Sequence, residues 1–143
     1  MPRGDIKDLA SACSEVGSVA VLPVDGGWLA GCSGFEFEGM LSFIPSDASK
    51  PFVPIYHMGV KMLAKVGNHL YVAGEEPFEF GDAGALDEVR LDRDGKWTID
   101  AVAALPADLE AYQVTQDGIA VADEYNAVFF DPQNGITPLA CQE

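Results

Sequence analysis

The stretch Trp28-Leu29-Ala30-Gly31 decides the fold, because similar stretches follow it at two later places in the chain. An offset of 43 residues leads to Tyr71-Val72-Ala73-Gly74, and a further 49 lead to Ala120-Val121-Ala122-Asp123. Turn-forming pairs precede the three stretches, at Asp25-Gly26, Asn68-His69 and Asp117-Gly118. Periods of about 40 to 50 residues are typical of propeller blades and related sheet arrays. The sequence therefore predicts an array of repeated β-sheets.

Each repeat holds four segments of strand composition separated by turn signals. We predict a single domain, 1–143, with repeats over about 18–58, 59–106 and 107–141. Pro54 falls in the fourth segment, which must lie at a sheet edge because proline has no N–H to donate. The predicted strands are Val19–Leu22, Trp28–Cys32, Met40–Ile44, Phe52–Tyr56, Val60–Val66, His69–Gly74, Ala85–Leu91, Lys96–Val102, Ala111–Thr115, Ile119–Asp123, Ala127–Phe130 and Ile136–Ala140.

The predicted fold class is all-β, with three four-stranded antiparallel sheets in a propeller-like or prism-like body. A short helix within residues 1–17 precedes them, with Asp5 as its N-cap and Gly17 as its end. Each sheet alone buries one face, so the three must pack on one another. We expect closure around a pseudo-threefold axis in a monomer. The alternative is half of a six-bladed propeller that a second copy completes as a homodimer.

The composition limits the partners. The chain carries 23 Asp and Glu against 8 Lys and Arg, for a net charge of −15. This charge repels nucleic acid and anionic membranes, whereas it attracts and steers a basic protein. No apolar run approaches the roughly 18 residues that span a bilayer. We therefore expect a basic protein partner and neither nucleic acid nor membrane.

The three cysteines, Cys13, Cys32 and Cys141, form no CxxC pair and no zinc-binding spacing. Cys13 and Cys141 lie near the two chain ends, and a disulfide between them would tie the array together. Such a bond requires an oxidising compartment, which predicts a periplasmic protein. Three buried reduced thiols would instead fit the cytoplasm.

Cys32-Ser33-Gly34-Phe35 resembles the nucleophile motif of the NlpC/P60 cysteine peptidases, and residues 68–74 are similar to their histidine strand. The resemblance implies Cys32 as nucleophile and His69 as base. However, residues 35–39 alternate like a strand where that family has a helix, and both stretches belong to the internal repeat. We predict that the protein is not an enzyme. A cysteine hydrolase is the less favoured hypothesis.

No cofactor or metal is expected. Asp92-Arg93-Asp94-Gly95 brings two carboxylates near a glycine, but it lacks the further ligands and closing glutamate of a calcium loop, so it reads as a hairpin turn. His57 and His69 are isolated. Four aromatic residues would form a sugar-stacking platform if they were exposed, which defines the alternative of a lectin-like or small-ligand module. These residues are Trp28, Tyr56, Tyr71 and Trp97.

Acidic residues concentrate between positions 75 and 124, where fourteen of them stand against Arg90, Arg93 and Lys96. With this charge, size and repeated sheets, the chain is similar in overall architecture to the small acidic immunity proteins of bacterial toxin systems. The resemblance implies an inhibitor that occludes the active site of a basic toxin or effector enzyme, such as a cell-wall amidase. We expect one turn or loop to enter the partner's cleft, with 46–49 and 75–78 as the candidates, and further acidic turns to bind the partner. The predicted partner-binding residues are Ser46, Asp47, Ser49, Glu75, Glu76, Phe78, Asp92, Asp94, Asp123 and Glu124.

Overall fold

The computed structural model describes residues 16–34, 39–78, 81–105, 111–122 and 127–139, and these form β-strands without a helix. The predicted N-terminal helix lies almost entirely outside them, at residues 1–15. The strands are β1 (Val16–Val24), β2 (Gly27–Gly34), β3 (Gly39–Pro45), β4 (Val53–Tyr56), β5 (Gly59–Val66), β6 (His69–Phe78), β7 (Gly81–Leu91), β8 (Trp97–Leu105), β9 (Ala111–Val114), β10 (Ile119–Ala122), β11 (Ala127–Asp131) and β12 (Gly135–Pro138).

The strands form three antiparallel four-stranded sheets, each with its strands in chain order. Sheet 1 contains β1–β4, sheet 2 contains β5–β8 and sheet 3 contains β9–β12. The predicted all-β class and the four strands per repeat are confirmed. Pro54 lies in β4, an edge strand, as its missing N–H requires. Among the described residues, no helix is long and apolar enough to cross a membrane.

Sheet 2 lies between the other two sheets. Leu29 and Val60 pack with Val72 in the cluster that joins sheets 1 and 2. Tyr71 and Phe130 belong to the cluster that joins sheets 2 and 3. Neighbouring residues of a strand point to opposite faces, so β6 sends Val72 toward sheet 1 and Tyr71 toward sheet 3. The middle sheet is therefore apolar on both faces.

The turns show that the first sequence offset is wrong by one residue. Val24 pairs with Gly27 across one two-residue turn, and Val66 pairs with His69 across the equivalent turn. The true offset between sheets 1 and 2 is therefore 42, which matches Leu29 with Tyr71. Both of these side chains face the following sheet, whereas Val72 faces the preceding one. A slip of one residue exchanges the two faces of a strand.

Strand β2 packs closely against sheet 2. A β-carbon added to Gly31 would overlap the side chain of Val60. On its other face, β2 carries Ala30 and Cys32, which are fully buried together with Ile44. The described hydrophobic residues packed against this second cluster, Trp28 and Phe52, also come from the first repeat. Closure of the three sheets into a ring therefore stays a prediction.

Candidate functional site

The short connections of all three sheets meet at one end of the body, which we call the turn end. It comprises residues 25–26, 46–52, 67–68, 92–96, 115–118 and 132–134. Surface grooves join these turns across the sheet boundaries. One groove of about 580 Å³ is lined by Asn68 of sheet 2 and Gln116 of sheet 3. Another, of about 540 Å³, is lined by Asp47 of sheet 1 and Trp97 of sheet 2.

Side-chain oxygens at the start of four turns hold the turn backbone. Asp and Thr side chains stabilise turns by accepting N–H groups two or three residues further on. Asp47 Oδ1 accepts Ser49 N at 2.9 Å; Asp92 Oδ1 accepts Asp94 N and Lys96 N at 2.9 Å; Thr115 Oγ1 accepts Gly118 N at 3.1 Å; and Asp131 Oδ1 accepts Asn134 N at 2.7 Å. The backbone N–H of Asn134 is the main reason that the pKa of Asp131 lies below its usual range. The turn end therefore presents its residues on fixed backbones.

The structure brings together half of the predicted partner-binding residues. Ser46, Asp47 and Ser49 lie in the β3–β4 turn, and Asp92 and Asp94 lie in the β7–β8 turn. The Ser49 hydroxyl also donates to Asp47 Oδ1 at 2.7 Å. Both turns belong to the turn end. The predicted Asp-Gly hairpin over 92–95 is confirmed, with β8 beginning at Trp97.

The predicted inserting loop at Glu75–Phe78 is wrong, because these residues continue β6. Phe78 pairs with Gly81, so the connection to β7 contains two residues only. Beyond Glu75, β6 pairs with β7 but with no other strand among the described residues. Pro77 fits there because the edge of β6 that faces away from β7 needs no N–H donor at this position. Glu75, Glu76 and Phe78 therefore lie in a strand that leads away from the turn end. The predicted residues Asp123 and Glu124 lie outside the described residues.

The opposite end of the body, where β2, β6, β8 and β10 finish, we call the far end. The sequences that join these strands to the next, 35–38, 79–80, 106–110 and 123–126, contain seven acidic residues and no Lys or Arg. The turn end contains five acidic residues and three basic ones, Lys50, Arg93 and Lys96. Asp87, which counts toward the acidic total, is only 1% exposed and does not contribute a surface charge. In the sequence, the connections that follow β2, β6, β8 and β10 therefore carry a larger excess of acidic residues than the turns of the turn end.

Cys32 and His69 do not form a catalytic pair. Cys32 is disulfide-bonded and fully buried in a strand, whereas a nucleophile needs an accessible thiolate. His69 lies in another sheet and is half exposed. Cys13 and Cys141 lie outside the described residues, but one chain with three cysteines cannot hold a bond at Cys32 and a Cys13–Cys141 bond together. The predicted Cys13–Cys141 disulfide is therefore wrong, because Cys32 of β2 is one of the two bonded cysteines.

His69 belongs to a charged network on the face of sheet 2 that is turned toward sheet 3. Its Nδ1 donates to Glu88 Oε2 at 3.0 Å, and Arg90 donates to Glu88 Oε1 at 3.0 Å. Arg90 also lies 3.2 Å from Asp100. Burial raises the pKa of Glu88, but hydrogen bonds from Arg90 and His69 outweigh it and hold this pKa below its usual range. Glu88 is therefore ionised at neutral pH and fixes the imidazole.

The four aromatic residues do not form one platform. Tyr71 is 1% exposed and packs edge-on against Phe130, with ring centroids 5.1 Å apart. Burial, and secondarily the charge of Glu88, raises the pKa of this phenol. Trp97 lies in another cluster, 5.1 Å from the Phe43 ring. The described residues also contain no group of three or more His, Cys, Asp or Glu side chains arranged for a metal ion.

Comparisons of the chain with known protein families, curated proteins and solved structures found no match. The geometry and the charges of the chain itself are therefore what bears on its function.

Proposed function

We propose that the protein is a non-catalytic binding protein, an inhibitor or immunity protein that neutralises a basic effector enzyme by covering its active site. The separation of charge between the two ends carries this proposal. A surface whose connections hold seven acidic residues and no basic one attracts a cationic partner and orients it during the encounter. The far end is the surface that we assign to this partner.

The body that carries this surface is, in our proposal, propeller-like, with the sheets as consecutive blades. Three observations support this arrangement. Successive sheets pack face to face. Their first strands, β1, β5 and β9, are neighbours in that order. Their short turns all lie at one end. A rigid stack of this kind holds the ends of its strands in fixed relative positions.

A periplasmic location is part of the same proposal. Disulfide bonds persist in oxidising compartments and are rare in the cytoplasm. The bond at Cys32, buried in the core of sheet 1, supports such a compartment. A cell-wall-directed enzyme would be met in that compartment, which is why an effector of that kind fits.

Affinity capture from the host's extract, followed by kinetics on the captured protein, tests the proposal. We expect a basic protein whose hydrolytic activity is lost at one equivalent of inhibitor. Replacing Glu75, Glu76 and Asp82 by their amides should slow association about tenfold at low salt, because steering is lost. The matched control replaces Asp25, Asp94 and Asp117 at the turn end, with the same change of charge, and should slow association less than about twofold. Equal effects of the two triple variants, or a captured protein that is acidic, would contradict the proposal.

A further inference from the structure

The groove between sheets 2 and 3 at the turn end has a lining rich in side-chain amides. We call it the amide groove, because four carboxamide side chains line it: Asn68, Gln116, Gln133 and Asn134. Its volume of about 580 Å³ lies within the range of small-ligand sites, roughly 300 to 1,000 Å³. Most such sites are apolar, so a lining of amides selects for a polar ligand.

The charges in the amide groove exclude other ligand classes. No Lys or Arg is among its described lining residues, so a phosphate or carboxylate ligand would lack a counter-charge from them. Of its two carboxylates, Asp131 is occupied by the turn, since it accepts Gln133 N at 2.8 Å, Asn134 N at 2.7 Å and Asn134 Nδ2 at 3.3 Å. Of the lining residues that the structure describes, Asp117 is the carboxylate left to meet a cation. The uncharged amides dominate the chemistry.

His69 adds an oriented hydrogen-bonding atom to the groove wall. Its Nδ1 is held by Glu88, and its ring stacks on Tyr71 at 6.2 Å between centroids. Because Nδ1 carries the donated proton, Nε2 is an acceptor in the neutral ring. Nε2 makes no hydrogen bond to any residue that the structure describes. Glu88 is therefore a positioning residue for a hydrogen bond that a ligand would complete.

We infer that the amide groove binds a neutral, hydroxyl-rich ligand of the size of a mono- or disaccharide. Each carboxamide offers a donor and an acceptor side by side, which matches a pair of adjacent hydroxyl groups. The Phe129 side chain, half-buried in the groove, offers an apolar surface for the C–H face of a sugar ring. This site lies at the turn end, away from the far end that we assign to the protein partner. The two proposals can therefore be tested and contradicted separately.

Titration of ¹⁵N-labelled protein with D-glucose, N-acetyl-D-glucosamine and cellobiose, followed by two-dimensional NMR, tests the inference. We expect at least one sugar to shift the amide signals of Asn68, His69 and Gln116, with a dissociation constant of about 1 mM. Arginine hydrochloride and potassium phosphate serve as charged probes, and neither should shift these signals in a saturable way. Saturable shifts with a charged probe alone, or no shifts with any of the three sugars, would overturn the inference.

Substitutions localise the binding. Gln116→Ala and His69→Ala should each weaken the binding of the active sugar at least about fivefold, because each removes a hydrogen bond to the ligand. Gln113→Ala and His57→Ala are the matched controls at exposed positions outside the groove, and both should leave the affinity unchanged. Glu88→Gln should weaken binding less than His69→Ala does, since the imidazole is kept but no longer held by a charge. If His69→Ala and His57→Ala behave alike, His69 takes no part and the assignment of the groove is wrong.

Discussion

The turn end and the far end both depend on glycine, but among the glycines that the structure describes, positive φ angles are required only at the turn end or directly beside it. Gly67 and Gly95 at the turn end, and Gly135 directly after it, have positive φ angles of 61°, 82° and 76°, with open space where a β-carbon would lie. At the far end, a β-carbon on Gly39 or Gly74 would overlap the backbone of the neighbouring strand. The turn end therefore needs a backbone conformation at these positions and room between chains at Gly118, whose β-carbon would overlap Phe130 O. The far-end residues Gly39 and Gly74 need room between chains alone. Local sequence can encode the first requirement, but packing imposes the second.

Gly74→Ala should give the largest effect that distinguishes the two ends. Its β-carbon would overlap the carbonyl oxygen of Gly59, the residue before its ladder partner Val60, and a backbone atom cannot move aside like a side chain. We expect the free energy of unfolding to fall by about 3 kcal/mol, at the upper range for overpacking. Urea unfolding with an unchanged m-value measures it. A loss as small as that of Gly67→Ala, where space is open, would show that the far end is not crowded.

The strands could be predicted because their signals are local. Asp25-Gly26, Gly67-Asn68 and Asp92–Gly95 each favour a tight turn by themselves, and the alternation between turns indicates strands. The offset between the repeats could not be read correctly. Trp28–Gly31 and Tyr71–Gly74 have similar composition, which suggests that Tyr71 corresponds to Trp28. The turns show that Tyr71 corresponds to Leu29, one residue further along.

The candidate sites were harder to predict than the strands. Asn68 and Gln116 are 48 positions apart, and only the packing of sheet 3 on sheet 2 makes them line one groove. The acidic residues after position 75 were visible in the sequence. The topology determines which of them lie in β6, which one is buried (Asp87), and which belong to the turn end or the far end. The continuation of β6 through Pro77 likewise depends on which of its edges is paired.

Gly95→Ala tests the turn end and should have a smaller effect than Gly74→Ala. A β-carbon at φ 82° meets no neighbouring atom, so the cost is that of the left-handed conformation alone, about 1 to 2 kcal/mol. Asn tolerates this region better than Ala, so Gly95→Asn should recover part of the loss. Thermal unfolding of the two variants measures the difference. If Asn is no better than Ala, side-chain contacts and not the backbone angle make Gly95 necessary.

Glu88→Gln should give the smallest effect and one that depends on pH. Its pKa is lower in the folded protein than in the unfolded chain, so ionised Glu88 stabilises the fold above its unfolded pKa, and this contribution disappears as the pH falls through the folded value. We expect the variant to be less stable than the wild type by about 1 kcal/mol at pH 7 and this difference to be smaller at pH 3, where protonation removes part of the contribution of Glu88. Urea unfolding at both pH values measures this, with Asp100→Asn as the control for the more exposed contact to Arg90. An equally large difference at pH 3 would mean that the shape of the glutamate side chain, and not its charge, holds His69 and Arg90. In that case packing would determine the polar wall of the groove, as it determines the glycines of the far end.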